Sequence, residues 1–147
     1  MAQTGFLFND GHSLTALNDS GTTAIEAGDI VFSQANDDVL TGTAASARNA
    51  FSDGDFKVKS MTDSATGYQT VVGVALQDIP ADGYGAVALE GLFIHATNED
   101  LEAGAVLQGD EAATNKIEVA DEFAHVIGRA LTGGSADGKY VLWKLRL

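Results

Sequence analysis

The sequence predicts a small all-β domain, and three observations support this fold class. Seventeen glycines and a single proline separate short runs of Val, Ile, Leu and Phe, which is typical of many short strands joined by tight turns. No segment shows the long apolar period of an amphipathic helix. Two parts of the chain also resemble each other, so we expect a β-barrel or β-tulip-like domain built from two degenerate copies of one β unit.

The repeat is clearest in two segments that align without a gap. Residues 71–83 read VVGVALQDIPADG and residues 126–138 read VIGRALTGGSADG, with seven of thirteen positions identical. A second match lies upstream, where residues 26–31 (EAGDIV) correspond to residues 102–107 (EAGAVL). A repeat of a whole segment with its spacing indicates two copies of one structural unit.

These matches predict how the chain is organised. Residues 1–25 are polar and turn-rich apart from one apolar cluster, so we expect an N-terminal arm or edge strand there. Residues 26–147 form a single β domain, with the first copy at 26–95 and the second at 102–147. The first copy is longer, and its excess at 41–66 is rich in Ser, Thr, Asp and Ala, which we interpret as an inserted loop.

Turns and alternation complete the prediction for each copy. The Ala-Asp-Gly that ends each matched segment predicts a type I′ hairpin turn, which needs positive φ at both central residues. The strand that closes the chain alternates, so one of its faces should enter the core. The predicted inward residues are Val141, Trp143, Leu145 and Leu147, and the predicted outward residues are Lys144 and Arg146.

Charge and composition exclude several partners. The chain has 8 Lys and Arg against 21 Asp and Glu, a net charge of −13, whereas binding to nucleic acid relies on clustered basic side chains. We therefore expect no nucleic-acid partner. No run approaches the roughly 20 apolar residues that span a bilayer and no signal peptide is visible, so we expect no membrane partner either.

No motif predicts a catalytic, cofactor-binding or metal site, so we expect that the protein is not an enzyme. His12, His95 and His125 are isolated in the sequence, although a pairing of His95 with His125 in space is left open. The loose dinucleotide pattern at residues 83–88 is followed by a strand, not by the helix whose N-terminus would meet a pyrophosphate. Paired carboxylates, such as those at 110–111 and 121–122, lie in predicted turns, where solvated acids are expected.

Six short segments carry a resemblance to a known family: residues 27–31, 73–78, 87–93, 102–107, 127–131 and 141–147. Taken together, they resemble the capsid decoration, or cement, proteins of tailed bacterial and archaeal viruses over residues 26–147. The resemblance implies a structural virion protein on the outer capsid surface that stabilises the mature shell. It also implies homotrimers, the major capsid protein as partner, and no catalytic residues.

The N-terminal arm is the candidate for partner binding. Phe6, Leu7 and Phe8 could add a strand to an edge of the capsid or of a neighbouring subunit, or could cover one end of the barrel. The segment at 41–66 is the other candidate for capsid contact. An alternative function is a carbohydrate- or cell-surface-binding β module on a virion or adhesin, but that function needs exposed aromatic side chains, and Trp143 is predicted to lie in the core.

Overall fold

The computed structural model describes residues 5–8, 13–33, 56–134 and 139–146. Within these ranges the secondary structure is almost entirely β, with three short 3-10 helices at Met61–Asp63, Gly67–Thr70 and Phe123–His125. None of the helices in these ranges is long and apolar enough to cross a membrane. The strands are β1 (Gly5–Phe8), β2 (Ser13–Asn18), β3 (Ile30–Phe32), β4 (Lys57–Ser60), β5 (Val71–Ala75), β6 (Tyr84–Ala88), β7 (Glu90–Thr97), β8 (Val106–Gly109), β9 (Lys116–Val119), β10 (Gly128–Ala130) and β11 (Tyr140–Arg146).

The strands close into two barrels with the same topology. The first barrel has the order β2-β4-β3-β5-β6, and the second has the order β7-β9-β8-β10-β11, with β1 added to the edge of β7. In the first barrel β2 is parallel to β4 and antiparallel to β6, and in the second barrel β7 is likewise parallel to β9 and antiparallel to β11. The prediction of an all-β fold built from two copies of one unit is confirmed.

Matched glycines show why the repeat remains visible in the sequence. Gly28 and Gly104 both have a φ of 91°, in the left-handed region that favours glycine. A Cβ atom on Gly73 would lie 1.9 Å from a carbonyl oxygen of β6, and one on Gly128 would lie 2.1 Å from a carbonyl oxygen of β11. Both positions therefore need glycine for the same reason in each copy, namely the close approach of the next strand.

Each barrel has its own apolar interior. The last strand alternates as predicted, because Val141, Trp143 and Leu145 are fully buried whereas Lys144 and Arg146 are exposed; Leu147 lies outside the described residues. Full burial of a large apolar side chain contributes about 1.5–3 kcal/mol, so these positions anchor β11 in the second barrel. The first barrel is filled by Ala16, Ile25, Val31, Val58, Ala75, Ile79 and Val87.

The two barrels pack against each other through one outer face of the first barrel. Ile30, Val74 and Ala88 point away from the interior of the first barrel, yet each has 0% exposure because it packs into the cluster that fills the second barrel. A polar contact accompanies this packing, since the backbone N–H of Ile30 donates to Oδ1 of Asn115 at 2.8 Å. This outer face of the first barrel is apolar because the second barrel covers it.

Strand pairing groups the chain differently from the predicted boundaries. β2, from the predicted arm, pairs with β6 in the first barrel, and β7, from the predicted first copy, opens the second barrel. The loop interpretation of residues 41–66 is wrong for 57–60, because β4 is a barrel strand whose Val58 is buried in the core. Residues 41–55 lie outside the described residues, and the domain boundaries stay a prediction.

The turn after the first matched segment also differs from the prediction. The N–H of Gly83 donates to the carbonyl of Pro80 at 2.8 Å, and Asp82 has a φ of 56°. The predicted turn needs a positive φ at both Asp82 and Gly83, and Gly83 is not in the left-handed region, so the type I′ prediction is wrong. The connection from β5 to β6 spans residues 76–83 and includes Ile79, which pairs with Ile25, so the turn at 80–83 does not join the two strands as a two-residue hairpin. The corresponding turn at 136–138 lies outside the described residues.

Candidate functional site

His95 is the most enclosed histidine among the described residues, with 0% exposure. Its Nδ1 accepts a hydrogen bond from Nε1–H of Trp143 at 2.9 Å, so its Nε2–H donates to the carbonyl of Gly28 at 2.7 Å. Burial lowers the pKa of His95 to about 4, and the ring is therefore neutral at pH 7. This chain of contacts ties β11 and β7 of the second barrel to the first barrel and leaves no ring nitrogen for a substrate or metal.

The other described histidine has different partners. His125 lies on a 3-10 helix, where its ring meets Tyr68 edge-on with 5.1 Å between centroids. Its Nε2 lies 3.9 Å from a carboxylate oxygen of Glu122. The structure thus does not pair His95 with His125, and His12 lies outside the described residues.

Three carboxylates on β9 and in the turns before and after it meet beside β8. One oxygen from each of Glu111, Glu118 and Asp121 lies within 4.8 Å of the others. Nε2 of Gln108 donates to Glu118 at 2.8 Å, and the backbone N–H of Glu111 donates to the same oxygen. Burial raises the pKa of Glu118. These hydrogen bonds account for the arrangement, so it carries no metal assignment, although oxygen ligands of this kind suit Ca²⁺.

The N-terminal strand lies on the edge of the second barrel. β1 is antiparallel to β7, with Gly5 opposite Ile94 and Phe6 opposite Phe93. The candidate partner-binding residues Phe6, Leu7 and Phe8 lie on this strand, so one of its edges is already paired within the chain. Contact of these residues with a partner stays a prediction.

The outer surface of the second barrel carries an open groove of about 500 Å³, which we call the groove face. Phe123 is 95% exposed beside it, and Val106 is 42% exposed. Arg129 on β10 lies directly across from Lys144 on β11. The residues that line the groove are Val106, Phe123, Val126, Gly128, Arg129, Lys144 and Arg146.

The charges of this surface change from one side to the other. Arg129, Lys144 and Arg146 are three of the eight basic residues of the chain. Arg129 lies across from Lys144, whereas Arg146 lies across from Glu90 on β7. The carboxylate cluster lies at β9, which is two strands from β10 because β8 pairs with both β10 and β9. The surface therefore runs from basic through apolar to acidic.

Sequence reasoning missed the groove face as a candidate site. One signal was present in the repeat, since Arg129 replaces Val74 of the otherwise similar VVGVAL segment. A buried valine in one copy and an exposed arginine in the other indicate that the same position meets different surroundings. Nothing in the repeat indicated that Phe123 would be exposed.

Comparisons with known proteins give the family. The model of the family described as phage cement protein matches residues 53–145. The chain belongs to the phage cement protein family. The resemblance found in the sequence is confirmed, and the protein is a structural component associated with the capsid in a phage virion.

A solved structure shares the fold. The crystal structure of the head fiber gp8.5 N base in bacteriophage phi29 superposes with a TM-score of 0.53, covering 90% of this chain and 92% of that chain at 16% sequence identity. At this identity the likeness concerns the fold alone. No curated protein matches the chain significantly.

Proposed function

We propose that this protein is a cement protein of the outer capsid surface, which binds the major capsid protein of the mature shell as trimers and stabilises that shell. The observation that carries the proposal is the match to the phage cement family over residues 53–145. The two-barrel fold supports it, because the head fiber base of another phage has the same fold. We further propose that the chain has no catalytic role.

The charge of the chain fits an outward position. A net charge of −13 disfavours contact with packaged DNA, because DNA phosphates would repel it. A protein that binds the mature shell but not its dissociated subunits stabilises the shell by mass action. At a free concentration of 100 times the dissociation constant, this contributes about 2.7 kcal/mol per site.

The N-terminal strand is the proposed contact with the capsid. Among the described strands β1 is the outermost in its sheet, with β7 on one side. The free edge of such a strand presents unpaired backbone N–H and carbonyl groups, which can pair with a strand of a partner. We assign Phe6, Leu7 and Phe8 to this contact.

The carbohydrate-binding alternative has less support. Recognition of sugar rings by stacking needs a platform of accessible aromatic rings. The only Trp of the chain, Trp143, has 0% exposure and is hydrogen-bonded to His95, and the exposed rings of Phe123, Tyr84 and Tyr140 lie on separate elements. A glycan array is the direct measurement, and we expect it to give no hits.

The test is reconstitution on purified shells that lack the protein. Expanded and unexpanded shells are mixed with an excess of the chain, pelleted, and the bound copies counted against the major capsid protein. We expect a ratio near one on expanded shells, little binding to unexpanded shells, and a higher melting temperature of the decorated shell. Binding to neither form would contradict the proposal.

A matched variant tests the proposed contact. Replacing Phe6, Leu7 and Phe8 by Ala leaves the rest of the chain intact, which the fluorescence of the buried Trp143 reports. We expect this variant to remain folded and to bind expanded shells at least tenfold more weakly. Unchanged binding would remove the contact while leaving the cement function in place.

A further inference from the structure

We propose that the groove face of the second barrel binds the acidic flank of a second copy of this chain. The acidic flank consists of Glu111, Glu118, Asp121 and Glu122, beside β8 and β9. The inference rests on the proposed trimer, since it names the surface through which copies would associate. Three observations carry it: the role of the same face in the first barrel, the placement of basic charge, and the exposed apolar centre.

The first barrel already uses the equivalent face as an interface. Ile30 pairs with Val74, which pairs with Ala88, on the outside of the first barrel. The corresponding positions in the second barrel follow from the matched pairing and are Val106, Arg129 and Lys144. The first set is fully buried against the second barrel, whereas the second set is exposed. The face that is buried in the first barrel is therefore exposed in the second barrel, where none of the described residues covers it.

The basic charges on this face indicate what covers it. Like charges directly opposite each other on neighbouring strands are unfavourable, yet Arg129 lies across from Lys144 with Arg146 on the same strand. Glu90 on β7 lies across from Arg146, but the strand positions across from Arg129 and Lys144 hold no carboxylate. Carboxylates from a partner would relieve this repulsion, and a chain with 21 acidic residues supplies them.

The apolar centre makes the face suitable for a close contact. Phe123 is 95% exposed and Val106 is 42% exposed, between the basic side and the acidic flank. Buried aromatic side chains surrounded by polar groups are the usual anchors of protein interfaces. A basic side that meets the acidic flank of the next copy is a heterologous contact, which closes into a ring when the rotation allows. In such a ring each chain contacts one neighbour through its basic side and the other neighbour through its acidic flank, with Phe123 near the rotation axis.

The test is a charge reversal with a control of identical net charge. In the groove variant Arg129, Lys144 and Arg146 become Glu. In the control variant Lys57, Lys59 and Lys139, which do not line the groove, become Glu. Each reversal changes the charge by two units, so both variants carry −19 against −13 for the wild type. Sedimentation equilibrium measures the mass of each full-length chain.

We expect the wild type and the control variant to form the same oligomer and the groove variant to dissociate at least tenfold more readily. Adding Glu111→Lys, Asp121→Lys and Glu122→Lys to the groove variant returns the charge to −13 and should restore the oligomer. Phe123→Ser is a second, uncharged variant with the same expected loss. Near-ultraviolet circular dichroism of Trp143 checks that each variant is folded.

The outcomes separate this inference from the proposed function. An oligomer that survives both the groove reversal and Phe123→Ser would overturn the assignment of this face and leave the trimer intact. A wild type that stays monomeric at all concentrations would overturn self-association through the face, while binding to expanded shells would still support the cement function. Failure to bind shells, with the expected variant pattern, would overturn the function and leave the interface standing.

Discussion

Protonation of His95 should destabilise the fold, and the structure sets the size of the effect. The ring has 0% exposure, and this burial disfavours its charged form and lowers the pKa of His95 to about 4. In the unfolded chain the pKa returns to about 6.5. Between these values the unfolded state binds a proton that the folded state does not.

The free energy of unfolding therefore falls as the pH falls through this window. Linkage gives a loss of about 2 kcal/mol at pH 5 and about 3 kcal/mol near pH 4, with no loss from this group at pH 7.5. Asp29 and Glu118, whose pKa values are raised by burial, act in the opposite direction in more acidic solution. Comparison with a variant that lacks only His95 removes their contribution.

The assay is urea denaturation at pH 7.5 and pH 5.0, followed by the fluorescence of Trp143 at one protein concentration. His95→Gln keeps an N–H donor for the carbonyl of Gly28 but cannot be protonated, so we expect wild type to lose about 2 kcal/mol more than this variant between the two pH values. An equal loss in wild type and His95→Gln would refute the reasoning.

Three further predictions follow from packing. Gly128→Ala places a Cβ atom 2.1 Å from a backbone oxygen, whereas Gly104→Ala meets nothing within 4 Å. The first should cost at least about 3 kcal/mol, and the second only about 1 kcal/mol from its positive φ, in urea unfolding. Trp143→Phe should cost about 2–4 kcal/mol by circular dichroism, because it leaves Nδ1 of His95 unpaired and a cavity behind. Deleting residues 1–8 should speed hydrogen exchange of β7 amides, which lose the β1 pairing; unchanged protection would contradict that pairing.

Sequence reasoning identified the features of the fold that depend on local chemistry. The repeat was readable because Gly28, Gly104, Gly73 and Gly128 are required by backbone geometry in both barrels. The predicted boundaries separate β2 and β7 from strands with which they pair, because β2 (SLTALN) and β7 (EGLFIHAT) share little beyond apolar character. Strand pairing, not residue identity, defines those positions, and a single sequence does not display pairing.

One missed strand did carry a signal. β4 reads KVKS and β9 reads KIEV, and each has one fully buried aliphatic residue after a lysine. The polar surroundings of β4 hid this likeness, because they are typical of a loop. The groove face could not be predicted from the sequence for a different reason. Arg129 and Lys144 are separated along the chain, and only the register of β10 with β11 brings them together.

The two copies of the β unit show how one face can serve two kinds of interface. In the first barrel the face is covered as the chain folds, so Ile30, Val74 and Ala88 are apolar and carry no cost of exposure. In the second barrel the face is open in the single chain, where a wholly apolar surface would promote aggregation. Arg129 and Lys144 keep it hydrated in the single chain. Under the proposed interface, the difference between these matched positions is therefore the difference between a permanent contact and one made on assembly.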